Sequence, residues 1–199
     1  MLQLKEGGVG TSGGTKIGRK IFGLACGKGA LSFQLMKRAL PFGLILCAAF
    51  ITPHLHGLAE DEAGFVPLMD GRTFNGWKKA AENQDTWRIE DGAFVAHGPR
   101  CHLFYEGDGR PFKNFHLKVD VMTEPNANGG IYFHTKYQAT DWPRAGFESQ
   151  VNNTHADWRK TGSLYGLADV GFAAAKDNKW WTQEIIVKGD TATVIVDGV

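Results

Sequence analysis

The stretch Gly129-Gly130-Ile131-Tyr132-Phe133-His134 and its follower Glu148-Ser149-Gln150-Val151-Asn152 decide the reading of this chain. Both alternate apolar and polar side chains, as strands with one buried face do. Ile131 and Phe133 fall on one face of the first strand, Tyr132 and His134 on the other. In the second, Glu148, Gln150 and Asn152 share a face, with Ser149 and Val151 opposite. If the two strands are neighbours, strand parity sets His134, Glu148 and Gln150 on one floor. A floor bearing an imidazole, a carboxylate and an amide suits binding and acid–base work on a small polar ligand.

The same short period extends outward. Phe115-His116-Leu117-Lys118-Val119-Asp120-Val121 alternates strictly. Asp91-Gly92 separates Trp87–Glu90 from Ala93–Ala96, a two-residue hairpin signal, and Lys188-Gly189-Asp190 separates two further runs. Pro125-Asn126-Ala127-Asn128 is a turn cluster. No segment after Gly64 carries a helical stripe. Many short strands between Gly, Asn and Asp turns predict an all-β fold, an antiparallel β-sandwich or jelly roll, with Leu117, Val119, Val121, Ile131 and Phe133 in its core.

The front of the 199-residue chain reads differently. Residues 1–35 are rich in Gly, Ser, Thr and Lys without a sustained period; they read as disordered, or as an extension ahead of the start at Met36, and are left outside the expected fold. Residues 36–59 read as a signal peptide: Lys37-Arg38, an apolar run from Ala39 to Ile51, and the small-residue site Gly57-Leu58-Ala59. The run is shorter than the roughly 20 residues a spanning helix needs, and Pro41 interrupts it. A short anchor and a lipoprotein site at Cys47 are the alternatives, the latter opposed by the bulky Leu46. Residues 60–199 are then the exported domain, periplasmic or extracellular, with no stable membrane span after cleavage.

Seven of the 22 basic residues and one of the 21 acidic ones lie before residue 39, so the rest of the chain carries 15 against 20. That acidic balance excludes a nucleic-acid footprint. Cys101 alone follows the leader, so the domain has neither an internal disulfide nor a thiolate metal cluster.

Several segments in order carry a resemblance. They are Gly64–Gly71, Phe74-Asn75-Gly76-Trp77, Trp87–Gly92, Asn128–Ile131, Phe147–Val151, Thr161–Gly166 and Trp180–Gly189. Together they resemble the 3-keto-disaccharide hydrolase family from Gly64 to Val199. The resemblance implies a concanavalin-like, laminarinase-like sandwich acting on 3-keto-glycosides. A ketone at C3 acidifies the C2 hydrogen; a base removes it, the C1 aglycone leaves by elimination, and water adds back. Such a site needs a base, an enolate stabiliser and a proton donor. Two departures stand out. The strand after Gly130 ends in His134 where the family often has Arg. The family also continues past the position of Val199 into strands that close the sandwich, so Val199 is expected beside an incomplete sheet edge.

Glu148 is the candidate acid or base, the alternative being a structural carboxylate paired with Arg144 or Lys118. His134 is the second catalytic candidate, as donor, proton shuttle or metal ligand. Gln150, Tyr165, Trp142, Trp158, Arg144 and Asn152 are the substrate-binding candidates. The tryptophans lie in polar stretches where an indole face could pack on a sugar. No cofactor is required by these residues. A divalent cation is left open, with Asn152, Asn153 and Asp157 as oxygen donors. The partners implied are a carbohydrate or 3-keto-glycoside substrate and, in the same pathway, a separate sugar 3-oxidoreductase.

Two other functions fit the same fold. A retaining glucanase needs two carboxylates about 5–5.5 Å apart, and Gln150 and Asn153 stand where the second and third acidic residues of its strand motif would be. A non-catalytic carbohydrate-binding module is the other.

Overall fold

The computed structural model describes residues 2–6, 14–25, 64–107, 109 and 111–199, with 2–6 and 17–25 as backbone. The leader expected at 36–59 lies outside the described residues. Among them are twelve strands and a single 3₁₀ turn, Gln84–Thr86. The strands are β1 (Leu2–Glu6), β2 (Thr15–Ala25), β3 (Val66–Pro67), β4 (Trp77–Lys79), β5 (Trp87–Glu90) and β6 (Ala93–Ala96). They continue with β7 (Cys101–Tyr105), β8 (Phe115–Thr123), β9 (Gly129–Phe133), β10 (Phe147–Val151), β11 (Trp181–Lys188) and β12 (Thr191–Val196).

They make two antiparallel sheets. One has the order β10-β9-β1-β7-β4; the other runs β12-β11-β8-β2-β6-β5, with β3 paired to β2. The fold is the expected all-β sandwich. Along β8, Phe115, Leu117, Val119, Val121 and Thr123 are buried while the residues between them are half-buried. These side chains meet Leu103, Ile131, Phe133 and Val151 of the opposite sheet in one core. Phe115 of β8 packs edge-on against Phe133 of β9, ring centroids 6.0 Å apart. The layers are also bonded: the Gln183 amide on β11 donates to Ser149 Oγ on β10 at 2.7 Å, satisfying two buried polar groups in the core.

The hairpins follow their turn chemistry. Asp91 and Gly92 have φ of 51° and 78°, the left-handed pair that matches strand twist between β5 and β6. Lys188 belongs to β11, paired with Thr191, so Gly189-Asp190 makes the second turn. β12 is an edge strand, and the chain continues past it to Val199, whose N–H donates to Val196 O at 3.1 Å.

Two stretches that the sequence leaves outside the fold, Leu2–Glu6 and Thr15–Ala25, are paired strands inside both sheets. The reason they do not read as strands is local. β2 pairs Ile17 with Val121 and then Ile21 with Val119, so four steps on β2 match two on β8. That irregularity breaks the period of two.

Cys101 is fully buried on β7. Burial pushes its thiol up to about 11, so almost no thiolate exists at neutral pH. In a chain with Cys26 and Cys47 changed to Ser, a thiol reagent should label Cys101 only after denaturation. Rapid labelling of the native protein would contradict this burial.

Candidate functional site

β9 and β10 are antiparallel neighbours, with Glu148 opposite Tyr132 and Gln150 opposite Gly130. All four therefore face the same side of the smaller sheet, away from the core. Tyr132 donates its hydroxyl to Glu148 Oε2 at 2.6 Å. Gln150, with its amide oriented to satisfy both ends, donates to Glu148 Oε1 at 3.1 Å and to the Gly129 carbonyl at 2.9 Å. These two bonds hold one oxygen toward Tyr132 and the other toward Gln150. Glu148 is only 7% exposed. Burial first, and then the charge and hydrogen bond of Glu148, push the Tyr132 phenol far above its ordinary value. Tyr132 therefore keeps its proton and stands as a hydrogen-bond donor to Glu148.

Gly130 makes this possible. A Cβ at that position would come within 2.9 Å of both Cγ and Cδ of Glu148. The glycine is required for space, since the carboxylate lies across the bare backbone of β9. Gly130→Ala should expel the Glu148 side chain from its place beside Tyr132. The expected result is loss of ligand binding in a calorimetric titration, with the all-β far-UV spectrum retained. Unchanged affinity would show that the carboxylate position does not matter.

The long connection after β10 builds one wall. Asn152 is fully buried. Its amide donates to the carbonyls of Asp157 (2.9 Å) and Arg159 (2.8 Å), and its oxygen accepts from the His155 N–H. It is a loop anchor, and its expected ligand-binding role is not what its bonds serve. Asn153 is likewise occupied, accepting from Thr161 Oγ1 at 2.7 Å and donating to Thr123 Oγ1 at 2.9 Å. The loop it shapes returns along β10, where the Tyr165 N–H donates to the Glu148 carbonyl at 2.9 Å. Tyr165 donates its hydroxyl to Asp157 Oδ2 at 3.0 Å, and the Arg159 guanidinium lies 4.5 Å from its ring. Burial draws the Asp157 carboxyl upward, but the Arg159 amide, the Tyr165 hydroxyl and the Arg159 charge outweigh it and hold it below its ordinary value. Burial and Asp157 raise Tyr165. His155 closes this end. Its Nδ1 accepts from the Asp157 N–H at 3.1 Å, so a neutral ring carries its proton on Nε2. Asn128 lies between His155 (3.4 Å) and Gln150 (3.2 Å).

Across the floor, His102 of β7 sits edge-on to Tyr132 and to Trp142, with ring centroids at 6.3 and 5.7 Å. Trp142 is 38% exposed, with the Arg100 guanidinium 5.0 Å from its ring. Trp142 and Tyr165 thus rise from the floor's two sides. Trp158 is more exposed and packs against Arg159, and Arg144 is exposed on the loop after Trp142.

His134 does not join the floor. It follows the last residue of β9 with φ of 53°. That left-handed turn ends the alternation on which its placement depends. Its ring lies against Phe115, Phe133 and Phe147, on the opposite parity from Tyr132, and its Nε2 is 3.0 Å from the Lys113 carbonyl. Lys118, an expected alternative partner of Glu148, pairs with Glu184 at 3.7 Å on the other sheet. Tyr132, Gly130, Asn128 and His155 are the site residues that sequence reasoning does not pick out. Only Tyr132 carries a readable signal, since it shares parity with Glu148's side of the sheet.

Among the described residues, no three His, Cys, Asp or Glu side chains are grouped to hold a metal ion. No described helix is long and apolar enough to cross a membrane. A separate cavity of about 460 Å³ lies between Tyr105, Phe112 and Tyr137, and none of its lining residues belongs to the Glu148 cluster.

A family model described as a 3-keto-alpha-glucoside-1,2-lyase-like domain matches residues 64–199. The chain belongs to this family. A 3-keto-disaccharide hydrolase of Bacteroides thetaiotaomicron is 32% identical over 84 residues, covering 38% of this chain and 29% of that protein. The match therefore spans less than a third of the relative's length. Within the family's span here lie Gly130, Tyr132, Glu148, Gln150, His155 and Tyr165 together.

Proposed function

We propose that this member of the 3-keto-alpha-glucoside-1,2-lyase-like family is an exported hydrolase of 3-keto-glycosides that works by elimination and rehydration. The observation that carries the reading is the Tyr132–Glu148 pair, a protonated phenol 2.6 Å from a carboxylate on a partly covered sheet face. The same pairing of groups is what the chemistry asks for. Glu148 takes the C2 proton next to the ketone, and the C–H electron pair becomes the enolate. Once protonated, Glu148 no longer holds the Tyr132 hydroxyl as strongly. Tyr132 then donates to the oxygen on which charge develops. The enolate oxygen pair re-forms the C3 ketone, the C2–C3 pair makes the C1–C2 double bond, and the C1–O bond breaks with its electrons going to the aglycone oxygen, which takes the proton from Glu148. Water adds at C1 to give the free 3-keto sugar. Gln150 keeps the carboxylate in register, while Tyr165 and Trp142 offer aromatic faces to the ring. A separate sugar 3-oxidoreductase would supply the ketone.

The test is aglycone release from paired glucosides and 3-keto-glucosides. Release from the 3-keto substrate alone is expected, and Tyr132→Phe should lower turnover roughly 10²-fold or more. If sugars bind but neither substrate is cleaved, the protein is a carbohydrate-binding module. Export rests on residues 36–59. N-terminal sequencing of the envelope protein tests it, with a start near Glu60 expected.

A further inference from the structure

The cavity beside Tyr105 takes no part in the Glu148 chemistry, yet its walls are firmly built. Its volume of about 460 Å³ is within the usual range of small-molecule sites. Tyr105, Phe112 and Tyr137 give it three aromatic walls, and Glu106, Thr135 and Lys136 are among its polar lining. Tyr105 packs against Trp77 and Phe112, with ring centroids at 5.0 and 6.1 Å. Phe112 in turn meets the buried Phe115 at 6.2 Å.

The turn after Tyr105 is tied down by its backbone. The N–H groups of Glu106 and Gly107 both donate to the Gly76 carbonyl, at 2.8 and 3.1 Å, and the Gly109 N–H donates to the Glu106 carbonyl at 2.9 Å. Gly107 has a φ of 49°, and a Cβ there would come within 2.8 Å of three atoms of the Tyr105 side chain. Only glycine lets the turn lie on that ring. The connection 134–146 supplies the third wall. The Ala81 N–H donates to the Ala139 carbonyl at 2.8 Å, and Tyr137 packs on Phe104 of β7 with centroids 5.0 Å apart. Lys78 of β4 stands opposite Phe104 in register. Its ammonium is 3.9 Å from the centre of the Tyr137 ring and 3.8 Å from Glu106 Oε1.

We propose that this cavity is a second ligand site, which binds a pyranose ring of a carbohydrate. Two features select that class. Aromatic faces pack well on the C–H faces of a sugar. The Glu106–Lys78 pair is long, and its side chains are 44% and 49% exposed, so it holds itself together only weakly. Sugar hydroxyls can bond to both partners, since the carboxylate accepts and the ammonium donates. A purely aromatic ligand would cover the same two charges without bonding them, which is costly. The site is also separate from the Glu148 floor. β4 and β10 are opposite edges of the smaller sheet, four strand spacings apart, or about 19 Å along the sheet. A single sugar ring cannot touch both, so binding here neither requires nor blocks the proposed hydrolysis.

Backbone amide NMR signals of the isotope-labelled full chain test this, with cellobiose as the probe. The site is open, so saturation is expected in the millimolar range. Cellobiose should shift the Gly107, Gly109 and Thr135 amides along one saturable curve. Glu106→Gln should weaken that curve roughly tenfold or more, and Tyr137→Ala should abolish it. The same shifts should persist in Gly130→Ala, whose loss is confined to the Glu148 floor. No saturable shift at these three amides overturns the proposal, as does a curve unchanged in both Glu106→Gln and Tyr137→Ala. Shifts that vanish in Gly130→Ala overturn the separateness of the site. Phenol saturating these amides where cellobiose does not would make it a site for aromatic ligands, and that also overturns the proposal.

Discussion

Glu148→Gln should lower turnover on a 3-keto-glycoside by roughly 10²–10⁴-fold while sugar binding changes little. The substitution keeps the size of the side chain and leaves an oxygen to accept from Tyr132. It removes the only group in the cluster that can take a proton: Tyr132 is held as a donor by burial and by Glu148 itself, and Gln150 has no titratable atom. The rate should therefore fall with KM nearly constant, the mark of a group that acts in the transition state. Steady-state kinetics on the purified variant checks this. Full activity in Glu148→Gln would move the proton transfer to a residue outside this pair.

Leu117→Ala should destabilise the fold by about 2–5 kcal/mol. Leu117 is 2% exposed, in the middle of β8. Its register partners are Ile185 on β11 and Gly23 on β2. The Gly23 position offers no side chain to move into the space, so the cavity stays open and the cost lies toward the upper end. For a chain of this length that corresponds to a fall in Tm of roughly 4–20 °C. Urea unfolding should show a lower midpoint at an unchanged slope. A loss under about 1 kcal/mol would mean that the two layers do not close on β8.

β8 and β11 were legible because their burial alternates along the strand. β8 shows it most plainly, and the Asp91-Gly92 and Gly189-Asp190 turns mark their hairpins by chemistry alone. The Glu148 face was legible from the alternation of residue types, although both faces of β9 and most of β10 are buried. Parity fails at His134, where a positive φ turns the side chain toward Phe115 and Phe147. Asn152 shows a different limit. Its parity matches that of Glu148, but a buried amide that meets two carbonyls and an N–H is a loop anchor, and only the path of residues 153–159 reveals it. His155 enters through that same path. β1 and β2 were the largest omission. A five-residue strand and one interrupted between Ile17 and Ile21 carry too little regular pattern to be seen without their neighbours.

The position of β1 and β2 has a consequence in time. Leu4 leaves the ribosome well before its neighbour Ile131, which is made more than a hundred residues later. At about 5–20 residues per second, the interval is on the order of 6–25 s. During that interval β1 lacks its β9 partner, and the smaller sheet cannot be completed. Contacts this distant along the chain also slow the final closure. β1 is thus made before its place between β7 and β9 exists, and for those seconds it is an extended chain open to other binders.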